Sequence, residues 1–349
     1  MHILSLHRSG EAKIPIGLTL PSLTISYVPG FLLFFSLPKI VTDQMATNQT
    51  MQQYGDVSGK KIFIAVVTSR QNFPTRVRAI ANTWGKEAAK YDRIILRYFV
   101  GASNASMGSL HEQNHNQKLV SVEREATTRL AKEGGLDSPS SIVVMSQVDD
   151  DEYPPVRKNS NMIKQIETLL SRAEGELPSS KFQWIFKVDD DTYVNVVALL
   201  QFTNTRNHNE YRAYGEKGTG APNDRQGLAK GGLVKPYCMG GPGYIFSRPL
   251  LAETASGMDQ CVNEADTSEY RGSLWHSDVI IGLCAYKMTG AGCWDEEDYE
   301  KHPIFRHNYE HEDPFLNTSE LPRTISMHPF KSATAMLNVH KRVMATAEA

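Results

Sequence analysis

The sequence predicts an α/β fold with a mainly parallel central sheet. In the first half of the 349-residue chain, runs of apolar, β-branched and aromatic residues alternate with segments of helical periodicity. One such run, Phe182 to Val188, ends directly in Asp189, Asp190 and Asp191. A buried strand that ends in acidic side chains is typical of a ligand site at the carboxyl edge of a parallel sheet.

Composition limits the classes of protein to consider. The chain is 40% hydrophobic and 22% charged, with a formal net charge of −2. This is enough apolar material for a sizeable core, and there is no basic excess of the kind that indicates nucleic-acid binding.

The N-terminal part carries a long uncharged segment, Ile14 to Pro38, which is long enough to cross a bilayer. Cations are more frequent before it than after it, so we expect residues 1–13 in the cytosol, a signal anchor over 14–38, and the rest of the chain in the lumen. Three interior prolines, at positions 15, 21 and 29, count against a regular helix, and a cleaved secretory signal is the alternative. Residues 39–59 are polar and predict a flexible stem, which leaves residues 60–349 as the luminal domain.

Two weaker features agree with a luminal location. Sequons for N-glycosylation begin at Asn48, Asn104 and Asn317. Four cysteines lie in the last third without zinc-type spacing, so up to two disulfides are expected, with four buried thiols as the alternative. The cysteines are Cys238, Cys261, Cys284 and Cys293.

The elements before the central strand alternate in type. The run KIFIAVVTS predicts a strand, and Pro74 to Trp84 has apolar residues at helical spacing. Strands are expected over Arg93–Val100 and Ser141–Met145, with a helix over Lys118–Glu133 between them.

The acidic stretch that follows resembles a second metal site at first sight. We interpret Asp149 to Pro155 as an exposed loop instead, because two prolines end any element there and no apolar strand carries the acids inward. A helix over Asn161–Ala173 then leads into the central strand.

Three carboxylates at one strand end repel each other and are costly to bury as bare anions. A divalent cation such as Mg²⁺ or Mn²⁺ removes that penalty and keeps coordination positions free for substrate phosphates. The alternatives are a solvated acidic turn, or Asp191 as the N-cap of a helix that starts at Thr192.

The second half is less regular. Residues 204–235 are polar and glycine-rich and predict a mobile loop, in which residues 215–232 are a candidate for closing over a ligand. In KPYCMGGPGYIFS the glycines allow either a tight turn or a close approach of backbone to a ligand, and a short strand follows over Tyr244–Phe246.

Two further residues have two interpretations each. Asp278, in SDVIIGLC, precedes an apolar helix and is either its N-cap or an acid/base group. His328, at the end of a short predicted strand from Arg323, is either a packed histidine or a metal ligand.

Four motifs in order, RVRAIANTW, WIFKVDDDTYV, KPYCMGGPGYIFS and SDVIIGLC, resemble the β1,3-glycosyltransferases that include β1,3-galactosyltransferases, the core 1 galactosyltransferase and Fringe. The resemblance covers roughly Lys60 to Phe330. It implies a GT-A-type, Rossmann-like fold, a UDP-sugar donor, Mn²⁺, inverting transfer to a hydroxyl of a glycan or glycoprotein acceptor, and a type II Golgi membrane protein. Apart from the resemblance, a homodimer is one assembly to consider. Galactose is the expected sugar, and N-acetylglucosamine and glucuronic acid are the alternatives.

The resemblance also implies roles for residues. Asp191 and His328 would bind the metal and Asp278 would be the catalytic base. The remaining matched residues would contact the donor, and they are Arg76, Arg78, Lys164, Asp189, Asp190, Gly240 and Gly241.

The sequence departs from the family at two places. Asp278 lacks the acidic neighbour that usually precedes it, and the loop from Asp149 to Asn161 is longer than expected, which puts the match of Lys164 in doubt. Two other classes stay open. A metal-assisted hydrolase would release sugar without an acceptor, and a non-catalytic carbohydrate-binding member would lack a ligand or the base.

Overall fold

The computed structural model describes residues 62–102, 116–176, 181–218, 237–267, 276–294, 304–306 and 320–347. Among these residues a seven-stranded sheet has the order β3-β2-β1-β4-β7-β6-β8. Its strands are β1 Ile62–Val67, β2 Ile94–Ala102, β3 Ile142–Asp149, β4 Trp184–Asp189, β6 Ala213–Gly215, β7 Tyr244–Ser247 and β8 Cys293–Trp294. A smaller sheet in the same ranges has the order β5-β10-β9, from Tyr193–Val194, Ser326–Met327 and Phe305–Arg306 respectively.

The centre of the large sheet is parallel. β1 lies between β2 and β4 and runs parallel to both, and β3 extends the parallel part beyond β2. β7 runs antiparallel to both β4 and β6. The predicted α/β class with a mainly parallel central sheet is confirmed.

Helices cover both faces of this sheet. They are α1 Arg78–Ala81, α2 Trp84–Ala88, α3 Asn116–Gly134, α4 Val156–Glu176, α5 Val196–Asn204, α6 Arg248–Thr267, α7 Ser277–Thr289 and α8 Ala333–Ala347. Alternate residues of β1 enter two separate apolar layers, so that Ile64 packs in the layer with Trp84 of α2, and Phe63 in the layer with Ile281 of α7. Because both layers are filled, every residue of β1 is buried, as expected for a central parallel strand.

The helix predicted over Pro74 to Trp84 is interrupted. One-turn segments over Arg70–Asn72 and Phe73–Val77 lead into α1, and the chain leaves helical geometry at Thr83 before α2 begins. The Thr83 hydroxyl donates to the Ala79 carbonyl at 2.6 Å, and the indole N–H of Trp84 donates to the carbonyl of Thr192 at 3.1 Å. This tertiary contact, which periodicity does not reveal, places Trp84 next to the acidic segment.

The interpretation of Asp149 to Pro155 as an exposed loop is wrong for Asp150. That residue is 8% exposed, and its carboxylate accepts hydrogen bonds from the backbone N–H groups of Arg70 and Gly101 and from the Lys158 ammonium. Lys158 is itself 3% exposed and lies on α4, which begins directly after the two prolines. Because α4 begins at Val156 and not at the predicted Asn161, it includes Lys158, whose ammonium compensates the buried carboxylate of Asp150.

All four cysteines are paired. Cys238 bonds to Cys293 and Cys261 bonds to Cys284, with Cα atoms 5.1 and 5.7 Å apart. The second bridge joins α6 to α7. The sequence predicted up to two disulfides without choosing the pairs.

The predicted anchor, the stem, the three sequons and most of the glycine-rich loop lie outside the described residues. Within the ranges that the structure does describe, no helix combines the length and apolarity needed to cross a bilayer.

Candidate active site

The acidic triplet lies where β4 ends, at the carboxyl edge of the sheet. The chain continues into β5, which pairs antiparallel with β10 in the register Tyr193 to Met327. This register brings His328, the next residue, to Asp191, and the N–H of Phe330 donates to the Asp191 carbonyl at 2.7 Å. Two segments far apart in sequence thus meet at one point.

Three side chains that could hold a metal ion come together there. Ligand atoms of Asp189, Asp191 and His328 all lie within 4.8 Å of one another, and His328 Nε2 is 3.2 Å from Asp191 Oδ1. Two carboxylates and one imidazole are a donor set that suits Mn²⁺ and similar divalent ions. The two residues predicted as metal ligands are brought together, and Asp189, which we expected to contact the donor, joins them.

Cations surround the Asp191 carboxylate. Lys331 Nζ lies 2.6 Å and Arg76 Nη1 3.5 Å from Asp191 Oδ2. Burial alone would raise the pKa of Asp191, but hydrogen bonds and charges from His328 and Lys331 outweigh burial and hold that pKa well below its usual range. Burial raises the pKa of Asp189 despite the opposing ammonium of Lys187.

The Asp190 carboxylate makes a different set of contacts. It accepts hydrogen bonds from the Thr68 hydroxyl at 2.6 Å, the Asn72 amide at 2.8 Å and Arg76 Nη1 at 2.8 Å. These donors belong to the segment after β1, so Asp190 fixes that segment against β4. Arg76 is thereby held between Asp190 and Asp191.

Asp278 is not the N-cap of its helix. The N-cap of α7 is His276, and Asp278 lies in the first turn, where its Oδ1 accepts from the N–H of Val279 at 3.0 Å. Its Oδ2 accepts from the N–H of Gly240 at 3.0 Å. A side chain added at Gly240 would lie only 3.2 Å from the Asp278 Cβ, so glycine permits this close approach. Two backbone donors therefore orient the carboxylate.

A buried lysine connects the two groups of carboxylates. Lys187, on β4, is 2% exposed, and its ammonium lies 2.5 Å from Asp189 Oδ1 and 3.2 Å from the Gly240 carbonyl. The Thr192 hydroxyl donates to the Gly241 carbonyl at 2.7 Å. The glycine turn, residues 240–243, is thus joined to the acidic segment through Lys187 and Thr192, and it contacts Asp278 directly.

Two predicted donor-binding residues are not brought to this site. Arg78 Nε donates to the carbonyl of Glu133 at the end of α3, and the Lys164 ammonium forms an exposed pair with Asp259 of α6 at 2.6 Å. Sequence reasoning missed Lys187 and Lys331. A lysine inside an apolar strand run needs a buried anion, which was a usable signal for Lys187. Lys331 offered no such signal.

Comparisons with known proteins extend this description. A family model described as Fringe-like matches residues 57–295, and one described as chondroitin N-acetylgalactosaminyltransferase matches residues 258–347. Chondroitin sulfate synthase 3 of Mus musculus is 30% identical over 213 residues, which are 59% of this chain and 22% of that protein. The chain therefore spans less than a quarter of the length of this relative.

A second relative aligns more widely. Glycoprotein-N-acetylgalactosamine 3-beta-galactosyltransferase 1 of Xenopus laevis is 23% identical over 289 residues, which are 81% of this chain and 67% of the relative. Among solved structures, the galactosyltransferase LgtC with donor and acceptor sugar analogues matches with a TM-score of 0.39 and 12% identity, over 82% of this chain and 95% of that chain.

Proposed function

Since the chain belongs to the Fringe-like family of glycosyltransferases, we propose that it is a metal-dependent, inverting enzyme that moves a sugar from a UDP-sugar to a glycan hydroxyl in β1,3 linkage. The observation that carries this proposal is the pairing of an Asp189, Asp191 and His328 group with a separately held carboxylate, Asp278, across the glycine turn. A group that can bind a divalent ion and a group that can accept a proton are the two requirements of such a transfer.

Each side chain then has a defined task. Asp191 and His328, joined by Asp189, would hold Mn²⁺, and the ion would neutralise charge that develops on the departing diphosphate. Asp278 would accept the proton of the acceptor hydroxyl, with its orientation fixed by the N–H groups of Gly240 and Val279. Arg76, held beside the triplet, would add positive charge toward the donor phosphates.

Galactose remains the proposed donor sugar. The relative that aligns over 81% of this chain is named a 3-beta-galactosyltransferase, which supports both the sugar and the linkage. A relative named chondroitin sulfate glucuronyltransferase, from Homo sapiens and 26% identical over 166 residues, keeps glucuronic acid as the alternative. N-acetylglucosamine is a further alternative by family resemblance.

We place the enzyme in the Golgi lumen, as a type II protein anchored by residues 14–38. Two disulfides among the described cysteines support an oxidising compartment. Detergent-dependent extraction of the intact chain, with a glycosidase-sensitive shift in mobility, would support this location. Recovery of the full chain, unshifted, in the soluble cytosolic fraction would contradict it.

The activity is tested with the full chain, Mn²⁺, and a panel of UDP-galactose, UDP-glucuronic acid and UDP-N-acetylglucosamine. We expect UDP release from one donor to depend on an acceptor with a free 3-hydroxyl, and the product to show a β1,3 linkage by NMR. Asp191→Ala, as the control, should stay folded and lose both transfer and metal-dependent UDP binding. UDP release at the same rate with and without acceptor would indicate a hydrolase. Glycan binding without UDP release would indicate a carbohydrate-binding protein.

A further inference from the structure

The hydroxyl of Tyr244 has no hydrogen-bond partner in the described part of the chain, although the residue is only 2% exposed. A buried hydroxyl without a partner is unfavourable, and such groups in native proteins usually contact an ordered water or serve a site. The position of Tyr244 is set by a rigid element, because β7 pairs with β4 and places Tyr244 directly opposite Lys187.

Tyr244 and Asp278 line the same small cavity. The cavity lies against α7, which contributes Ala285 to its wall, and the bonded cysteines Cys238 and Cys293 line another side. It has room for about one water molecule, and although most of its walls are apolar, Tyr244 and Asp278 could give a water there two hydrogen-bonding partners.

Tyr244 also experiences the charges of both halves of the site. Burial, together with the negative charges of Asp278 and Asp189, raises its pKa well above the usual value, so the side chain stays protonated and can donate. The Lys187 ammonium lies 5.7 Å from the centre of its ring. Tyr244 makes no direct hydrogen bond to Asp278. A water molecule between them could accept a hydrogen bond from the phenol and donate one to the carboxylate.

We propose that Tyr244 is a positioning residue for Asp278: its hydroxyl donates to a water in the shared cavity, and that water donates to the Asp278 carboxylate. This bridge is a third constraint, after the N–H groups of Gly240 and Val279, on the direction in which the carboxylate presents its remaining lone pairs. The role in catalysis rests on the proposed function, whereas the bridge itself does not.

Tyr244→Phe in the full chain tests the role, because it removes only the hydroxyl. We expect kcat to fall about five- to ten-fold, the size of one lost hydrogen bond, with the affinity for UDP and Mn²⁺ within about two-fold of the parent. The matched control is Tyr98→Phe, which removes the hydroxyl of a tyrosine in the opposite apolar layer and should leave kcat unchanged. A Tyr244→Phe enzyme with parental kcat would overturn the positioning role.

The bridge is tested separately by urea denaturation of Tyr244→Phe, Asp278→Ala and the double variant. Because both single substitutions remove the same bridge, their effects on the unfolding midpoint should be non-additive, whereas Tyr98→Phe and Asp278→Ala should add. Additive effects of Tyr244→Phe and Asp278→Ala would overturn the bridge. This arm needs no sugar transfer, so failure of the proposed function and failure of the bridge give different results.

Discussion

The ammonium of Lys331 lies 2.6 Å from Oδ2 of Asp191, one of the three residues whose side chains could together hold a divalent cation. On the proposed function, Lys331 and a bound metal ion would therefore compete for the carboxylate of Asp191. The side chain of Lys331 is 58% exposed, whereas that of Asp191 is 5% exposed, so the lysine is free to withdraw into solvent when an ion arrives.

We predict that Lys331→Met binds Mn²⁺ more tightly in the absence of nucleotide. Ion pairs with an exposed partner contribute about 0–1 kcal/mol, so the gain should be up to about five-fold. The affinity is measured by electron paramagnetic resonance or calorimetry, with Lys341→Met on the exposed face of α8 as the control. Weaker binding of Mn²⁺ would show that Lys331 supports the site rather than competing with the ion.

Asp278→Asn should remove the proposed proton acceptor and leave the binding of UDP and Mn²⁺ intact. The amide oxygen can accept only one of the two backbone hydrogen bonds, so the variant should lose about 1–3 kcal/mol of stability through the donor left unpaired and still fold, and UDP and Mn²⁺ should bind normally. A base that has become an amide accepts no proton, and kcat should fall by at least about 10²-fold. The control is Asp259→Asn, the same change at an exposed aspartate of α6. Near-parental kcat would leave the base unassigned.

The buried pair of Lys158 and Asp150 should be important for stability. Lys158→Met removes the ammonium that pairs with the buried carboxylate of Asp150, and removing one partner of a buried pair typically costs about 3–5 kcal/mol. The exposed ion pair of Lys164 and Asp259 offers a matched control. Lys164→Met should change the free energy of unfolding by no more than about 1 kcal/mol. The free energy of unfolding of both variants is measured by urea titration. Equal losses of stability in Lys158→Met and Lys164→Met would contradict the stabilising role of the buried pair.

Lys164→Met also examines the donor role that the family resemblance implied for this residue. Because its ammonium pairs with Asp259, we expect UDP affinity to be unchanged in the variant. A clear loss of UDP binding would restore Lys164 to the donor site.

His340 should make stability depend on pH. It accepts or donates one hydrogen bond with the Tyr193 hydroxyl at 3.0 Å, and burial lowers its pKa below the ordinary value of 6.5. As pH falls through about 6.5, the unfolded chain takes up a proton before the folded one does, so the native state loses stability. His340→Asn keeps a polar group near Nδ1 and does not titrate. Between pH 7.5 and 5.5 its urea midpoint should therefore fall less than that of the parent, and identical slopes would contradict the prediction.

The sequence was most informative where local pattern and tertiary environment agree. The central strands are continuous apolar runs, and they appear as β1 to β4 with the acidic triplet at the end of β4. The four-motif resemblance is confirmed by the Fringe-like match over residues 57–295. Asp191 and His328 were expected together, and the register of β5 with β10 brings them together.

The sequence was least informative where a residue depends on a distant partner. The break at Thr83 follows from the contact of Trp84 with Thr192, and Asp150 is buried because Lys158 reaches it from the next helix. Disulfide pairing depends on which helices become neighbours. The N-cap interpretation of Asp278 failed by two positions, an error typical of helix boundaries.

The disulfides make the two halves of the site unequal in mechanical terms. Cys238 precedes Gly240 by two residues, and the Cys261–Cys284 bridge joins the helix that carries Asp278 to its neighbour, so both covalent links brace the side of the candidate base. Among the described residues, His328 and Lys331 are attached to the acidic triplet by non-covalent contacts. The side of the site with Asp278, which would receive the acceptor, is therefore held rigid by covalent bonds. The side with Asp191 and His328, which would bind and release the nucleotide, is held by contacts that can break and re-form.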